Sequence, residues 1–189
     1  MALGGKPTEK AVFLDKDGTL VENIPYNVDL NKVKVPDSTR EALRALKGLG
    51  FKLIVVSNQG GIALGYFTIQ EMEKVREWFM EKLKSLDDFY FCPHKTSGKV
   101  KKFVKDCACR KPKPGMILEA REKYQLDLKN SWVIGDVLDD VEAGKRAGCR
   151  TIFLDAGNER EWRKGKFRQP DYKAKNLTKA VEIISNFRR

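Results

Sequence analysis

The sequence contains no apolar run approaching the roughly twenty residues that cross a bilayer, so a membrane-spanning helix is not expected. Its first residues, MALGGKPTEK, lack the apolar stretch of a secretory signal, and the expected compartment is the cytoplasm. Acidic charge is in short supply: 26 Asp and Glu stand against 37 Lys and Arg, a formal net charge of +11. Such a balance attracts any polyanion without choosing among nucleic acid, membrane surface and phosphorylated metabolite. The cations are spread along the chain, with local concentrations at 99–113 and 160–168, so a solvated basic surface is the plainer reading. Cysteine and histidine are scarce as well, four and one respectively. Yet three of those cysteines and the sole histidine fall in the first eighteen residues of CPHKTSGKVKKFVKDCACRKPKP, residues 92–114, while Cys149 stands apart.

At 189 residues, with 41% hydrophobic and 33% charged side chains, the chain reads as one globular domain over 1–189. Apolar runs suited to buried parallel strands recur at 11–15, 51–57, 131–136 and 149–155. Helical patterns lie between them. Ser38 and Glu41 form a candidate capping box ahead of Leu43, Leu46 and Leu49, with Gly50 as the stop. Thr68 and Glu71 repeat the device before Met72, Val75 and Phe79. Pro114 opens a further helix, Asp139 with Glu142 opens another that ends at Gly148, and a last one covers roughly 177–187. The basic segment before that last helix, NEREWRKGKFRQPDYKAKN at 158–176, reads as a long surface loop. Alternation of this kind predicts an α/β fold, a Rossmann-like three-layer sandwich around a central parallel sheet.

The first run ends in AVFLDKDGTLVE, which sets Asp15 and Asp17 at i and i+2 beyond a buried strand. Ligands of open parallel sheets bind outside the carboxyl ends of the strands, so the two carboxylates crowd the place where chemistry is expected. A hard divalent cation such as Mg²⁺ suits them, and Asp15 then serves as a nucleophile toward phosphorus with Asp17 as proton donor and acceptor. A simple turn with Gly18 explains DKDG equally well when the stretch is taken alone. VVSNQGG, CRKPKPG and VIGDVLDD, each at a strand end or helix start, shift the balance toward a site.

The stretch VFLDKDGT matches the first motif, hhhDxDGT, of the haloacid dehalogenase superfamily, which the sequence resembles. That resemblance implies a phosphatase in which Asp15 is the nucleophile, Asp17 the general acid and base, Ser57 a phosphate-binding hydroxyl and Lys111 the cation that clamps the phosphate. It further implies Mg²⁺ held by Asp15, Asp136 and the backbone carbonyl of Asp17, with Asp140 in support, and substrate contacts from Asn58 and Arg110.

Cys92-x-His94 and Cys107-x-Cys109 supply four soft or borderline ligands, the number used by a closed structural Zn²⁺ site. A metal there would staple the loop 92–109, whose own apolar content is too low to order it, and would fix the direction of Arg110 and Lys111. The stretches CPH…CACRKPKPGM and SNQGGIALGYFT are similar to those of the heptose 1,7-bisphosphate phosphatases, a likeness that runs from about residue 11 to 155. It implies a phosphorylated sugar as substrate, hydrolysed to heptose 1-phosphate. Histidinol phosphate and a nucleic-acid 3′-phosphate are the alternatives within the superfamily; a zinc-stabilised nucleic-acid-binding module is the alternative outside it. Three positions depart from that pattern: Gly60 stands for serine, Leu64 for arginine and Val137 for lysine. No insertion is long enough for a large cap domain, so specificity is expected from short loops. The expected partner is a small phosphorylated sugar, with nucleic acid and membrane not expected, and the default state is a monomer.

Overall fold

The computed structural model describes residues 9–187. The N-terminal stretch read above for a signal therefore lies, up to residue 8, outside the described residues. In chain order the elements are β1 (Lys10–Leu14), α1 (Asp37–Gly48), β2 (Phe51–Asn58), α2 (Gly61–Leu64), α3 (Ile69–Lys82), β3 (Asp88–Cys92), α4 (Gly115–Tyr124), β4 (Trp132–Gly135), α5 (Leu138–Ala147), β5 (Arg150–Leu154), β6 (Tyr172–Ala174) and α6 (Leu177–Asn186). The six strands form one all-parallel sheet in the order β3-β2-β1-β4-β5-β6.

Successive residues of a strand point to opposite faces, and here both faces are apolar. Val12 and Leu14 of β1, with Leu53 and Val55 of β2, pack with Leu43 of α1, Phe79 of α3 and Ile184 of α6. Ala11 and Phe13, with Ile54 and Val56, pack with Met116 and Ile117 of α4 and Ala143 of α5. The result is three layers, and it explains why these runs show no polar alternation in the sequence. Because β1 is flanked by β2 on one side and β4 on the other, the chain reverses its direction of travel across the sheet at β1. The carboxyl ends of β1, β2 and β4 border that switch point, where open α/β sheets form their crevice.

The helix signals were legible with two corrections. Thr68 caps α3 as its sequence implies, its Oγ1 accepting from Glu71 N at 3.2 Å while Glu71 Oε2 accepts from Thr68 N at 2.7 Å. Ser38 does not cap α1: the helix starts two residues earlier than that cap would place it, with Pro36 at the N-cap and no side-chain cap. Proline presets a suitable φ there, and Asp37 supplies negative charge to the first turn. Nor do Asp139 and Glu142 open α5: its N-cap is Val137, whose N–H donates to Asp140 Oδ2 at 3.3 Å. Two strands escaped the sequence reading. β3 is a short, largely buried run that begins with an aspartate and is rich in aromatics, and the three residues of β6 lie at the end of the expected loop. Among the described residues no helix is long and apolar enough to cross a membrane.

Asp88, at the start of β3, ties that edge strand to the last turn of α4. Its Oδ2 accepts from Lys123 Nζ at 2.8 Å and Tyr124 Oη at 3.0 Å, and its Oδ1 from Phe89 N at 2.8 Å. Burial pushes the Asp88 carboxyl up, but these bonds outweigh it and hold it below the usual carboxylate range. A depressed folded-state pKa contributes stability above the unfolded value and loses it as pH falls through the folded one. Asp88→Asn is thus expected to cost about 2 kcal/mol at neutral pH, a difference that shrinks below roughly pH 4. Urea unfolding of both proteins at pH 7 and pH 3 measures it.

Candidate active site

Asp15 is the first residue beyond β1, and its N–H donates to Ile134 O at 3.0 Å, carrying the β1–β4 ladder one residue further. The aspartate is therefore held by the sheet. Gly18 turns the chain at φ +84°, and a Cβ on it would lie 1.9 Å from Asp136 Oδ2, so no side chain fits there. Asp136 follows β4 directly, Ser57 and Asn58 end β2, and Lys111 arrives from the loop before α4. Asp15, Asp17, Ser57, Asn58, Lys111 and Asp136 all line one cleft of about 290 Å³.

Lys111 is the hub of this cleft. It is 3% exposed, its Nζ donates to Asp15 Oδ1 at 2.6 Å and to Val56 O at 2.7 Å, and it is ion-paired with Asp140 Oδ1 at 2.6 Å. Burial alone would push the ammonium's pKa down, but the two carboxylates outweigh it and hold the value above the ordinary lysine range. Asn58 fixes the main chain beneath it: Asn58 Nδ2 donates to Lys111 O and Asn58 Oδ1 accepts from Lys111 N, both at 3.0 Å. Asn58 thus acts on Lys111 as well as lining the cleft.

Asp17 is oriented by two groups that the sequence did not single out. Gln59 Nε2 donates to Asp17 Oδ2 at 3.2 Å and to Ser57 Oγ at 2.9 Å, and the buried Lys16 ammonium pairs with Asp17 Oδ1. Burial raises the Asp17 carboxyl above its usual range, with Lys16 opposing and the charge of Asp15 adding to the rise. A raised carboxyl retains a proton for donation.

Asp15, Asp136 and Asp140 each bring a carboxylate oxygen within 4.8 Å of the others, all three residues buried. Burial and then the charges of Asp15 and Asp140 push Asp136 up to about 8. Burial also pushes Asp140 up to about 7, with Lys111 working against it. Asp136 Oδ2 is buried without a hydrogen-bond partner. A lone buried carboxylate oxygen among like charges, with one ammonium to offset three carboxylates, fits a hard divalent cation. The oxygens of Asp140 are engaged by Lys111 and Val137 N, which sets it behind that cation position.

The second cluster closes on itself. The Sγ of Cys92 lies 2.8 Å from that of Cys109 and 3.5 Å from that of Cys107, and His94 Nδ1 is 3.3 Å from Cys109 Sγ. A hydrogen bond from the Cys92 thiol holds Cys109 below the ordinary thiol range, toward the thiolate that metal ligation needs. Three thiols and one imidazole, with all four donor atoms within 4.8 Å of one another, can hold a metal ion, and the donor set fits zinc. Arg110 hangs from this cluster: its Nη1 donates to His94 O at 3.1 Å and stands 3.1 Å from the Cβ position of Gly60. It is the one substrate candidate that stands at the rim beside Gly60 instead of lining the cleft. Cys149, by contrast, is buried in the core among α4 and α5 side chains.

The basic segment before α6 is bound to the site more closely than a surface loop would be. Glu159 Oε2 accepts from Leu138 N at 2.5 Å, capping α5, and Arg168 pairs with Asp139 at 2.8 Å and Glu142 at 3.0 Å. These contacts brace the helix that carries Asp140. Charge count alone could not have revealed them, because each partner is twenty or more residues away in sequence.

An acidic turn at a strand end, a buried lysine and a switch-point cleft on a parallel sheet fit a phosphoric monoester hydrolase with the fold of the haloacid dehalogenase (HAD) superfamily. The HAD-hydrolase-like profile matches residues 108–180. The chain is 36% identical over 184 residues, 95% of its length and 99% of the relative's, to the D-glycero-beta-D-manno-heptose-1,7-bisphosphate 7-phosphatase of Pasteurella multocida. It is 37% identical over 149 residues, 77% of its length and 81% of the relative's, to the corresponding alpha-anomer enzyme of Photorhabdus laumondii. Among solved structures, an HAD-like phosphatase from Mesorhizobium loti superposes with a TM-score of 0.80 at 29% identity, covering 97% of this chain and 91% of that one. The D,D-heptose 1,7-bisphosphate phosphatase of B. bronchiseptica, complexed with magnesium and phosphate, shares the fold at a TM-score of 0.77 and 22% identity, covering 94% and 99%. The chain belongs to the family of these heptose-bisphosphate phosphatases.

Proposed function

We propose that this chain hydrolyses the 7-phosphate of D-glycero-D-manno-heptose 1,7-bisphosphate, giving heptose 1-phosphate and inorganic phosphate through an aspartyl-phosphate. The observation that carries the reading is the Lys111 ammonium, 2.6 Å from the Asp15 carboxylate in a cleft that also holds Asp17 and Ser57. Lys111 and the Ser57 hydroxyl bind oxygens of the phosphoryl group and orient it toward Asp15, whose carboxylate attacks phosphorus. The protonated Asp17 carboxyl gives its proton to the departing sugar oxygen. The resulting Asp17 carboxylate then takes a proton from the water that attacks the aspartyl-phosphate, which restores both aspartates. Gln59 keeps Asp17 on the leaving-group side throughout. Asp15, Asp136 and the main-chain carbonyl of Asp17 would hold Mg²⁺, which would supply further neutralisation of phosphoryl charge.

Zn²⁺ held by Cys92, His94, Cys107 and Cys109 has a structural part, because all four positions come from protein. One zinc per chain is the expected content by elemental analysis. Chelation, or Cys107→Ser, is expected to expose residues 95–106 to proteolysis before the sheet unfolds, and to lower activity through displacement of Arg110 and Lys111. The reduced thiol cluster suits the cytoplasm.

The deciding experiment is steady-state phosphate release from both anomers of the heptose bisphosphate, beside histidinol phosphate and a 3′-phosphorylated oligonucleotide. A kcat/KM for one heptose anomer at least about a hundredfold above the other substrates is the expected result, and comparable rates on all four would overturn the assignment.

A further inference from the structure

Two tyrosines meet beside the cleft, one of them in its lining. Tyr26 belongs to the loop after β1 and lines the cleft, whereas Tyr66 follows α2. Their rings stand edge to face with centroids 4.8 Å apart. Tyr26 is 51% exposed and Tyr66 60%, and theirs is the one ring pair among the described residues with both members exposed. Large aromatics left this open gain little from folding, so the pair is not explained as core.

The backbone singles out Tyr26 again. Its φ is +54°, in the left-handed region that a bulky residue seldom enters and that costs about 1–3 kcal/mol unless the surroundings impose it. The other such residue among those described, Gln125, ends α4, where that conformation is ordinary. Tyr26 ends no helix. Its conformation directs the ring to Tyr66 and to the cleft wall that also contains Asp15, Asp17 and Lys111.

We propose that Tyr26 and Tyr66 form an aromatic wall that packs against the C–H face of the substrate's sugar ring and selects cyclic over open-chain phosphate esters. The proposal rests on the sugar-phosphatase reading above. With the phosphoryl group anchored between Asp15 and Lys111, the remainder of the substrate extends toward the cleft mouth. A sugar ring offers an apolar C–H face and a rim of hydroxyls, and tyrosine matches both with an apolar ring and a polar tip.

The test compares kcat/KM for heptose 1,7-bisphosphate with that for glycerol 3-phosphate in the parent, Tyr66→Ala and Tyr66→Phe proteins. The ring-over-chain ratio is expected to fall about tenfold in Tyr66→Ala and to stay within twofold of the parent in Tyr66→Phe. Tyr66 is exposed, so its truncation leaves the core intact; Tyr26→Phe, which keeps the ring, is expected to preserve the ratio as well. If the parent favours the sugar and Tyr66→Ala retains that preference, the wall is overturned while the phosphatase reading stands. A parent that hydrolyses no sugar phosphate overturns both.

Discussion

Replacing Asp15 with Asn is expected to lower phosphate release by about four orders of magnitude or more, because it removes the proposed attacking group and leaves only binding and positioning in place. The same change is expected to leave the protein no less stable than the parent. Asp15, Asp136 and Asp140 crowd one buried spot, and a single ammonium offsets them. The amide of Asn has nearly the volume of the carboxylate, and its oxygen can still accept from Lys111, so the substitution relieves like-charge repulsion without opening a cavity. The pairing of outcomes is what tests the reading: the proposed nucleophile is expected to be expendable for folding and essential for turnover. Single-turnover phosphate release, with thermal unfolding in metal-free buffer, measures both. A protein that loses activity together with several degrees of thermal midpoint would mean instead that Asp15 serves the fold.

Lys111→Met is expected to do the opposite to stability. It keeps the length of the chain and removes its charge, which strands the carboxylates of Asp15 and Asp140 in a buried site without their cation. Breaking a buried pair from one side costs about 3–5 kcal/mol, which for a chain of this size corresponds to a fall of about 10 °C in thermal midpoint. Protonation of Asp140, whose carboxyl is already pushed up to about 7, recovers part of that loss as pH falls, so the deficit is expected to be smaller at pH 5.5 than at pH 8. The rate is expected to fall about a hundredfold to a thousandfold, as for the loss of one preorganised charge on a transition state. Thermal scans at the two pH values and kcat/KM on the preferred sugar phosphate check both parts.

Four of the six strands were legible because they are apolar on both faces, as the runs at 11–15, 51–57, 131–136 and 149–155 show, whereas β3 and β6 lack such a run. The helix starts were less so. Thr68 and Ser38 look alike in sequence, each followed three positions later by a glutamate, but the proline before Asp37 takes the cap position that Ser38 would need. Asp15, Asp17, Ser57, Asn58 and Asp136 could be gathered from the ends of the runs, since residues at the carboxyl ends of adjacent parallel strands converge, whereas Lys111 follows no run and was marked only by the resemblance to the superfamily. Gln59, Lys16 and Glu159 could not. Their roles depend on side-chain direction and on partners brought together only by the fold, and no local pattern marks a lysine in a DKD turn as buried.

That buried lysine makes the register of β1 consequential. The strand pairs Val12 with Leu53 on one side and with Trp132 on the other, and Asp15 follows in step with the ladder. A slip by one residue would carry Lys16 into the place of Asp15 and put a cation where the proposed attacking carboxylate belongs. It would also exchange the faces of Val12, Phe13 and Leu14 and spoil both apolar layers at once. The sign of the charge at the proposed reaction centre thus depends on the packing of hydrophobic side chains in the two layers beneath it, and a single-step slip is penalised in the core as well as in the site.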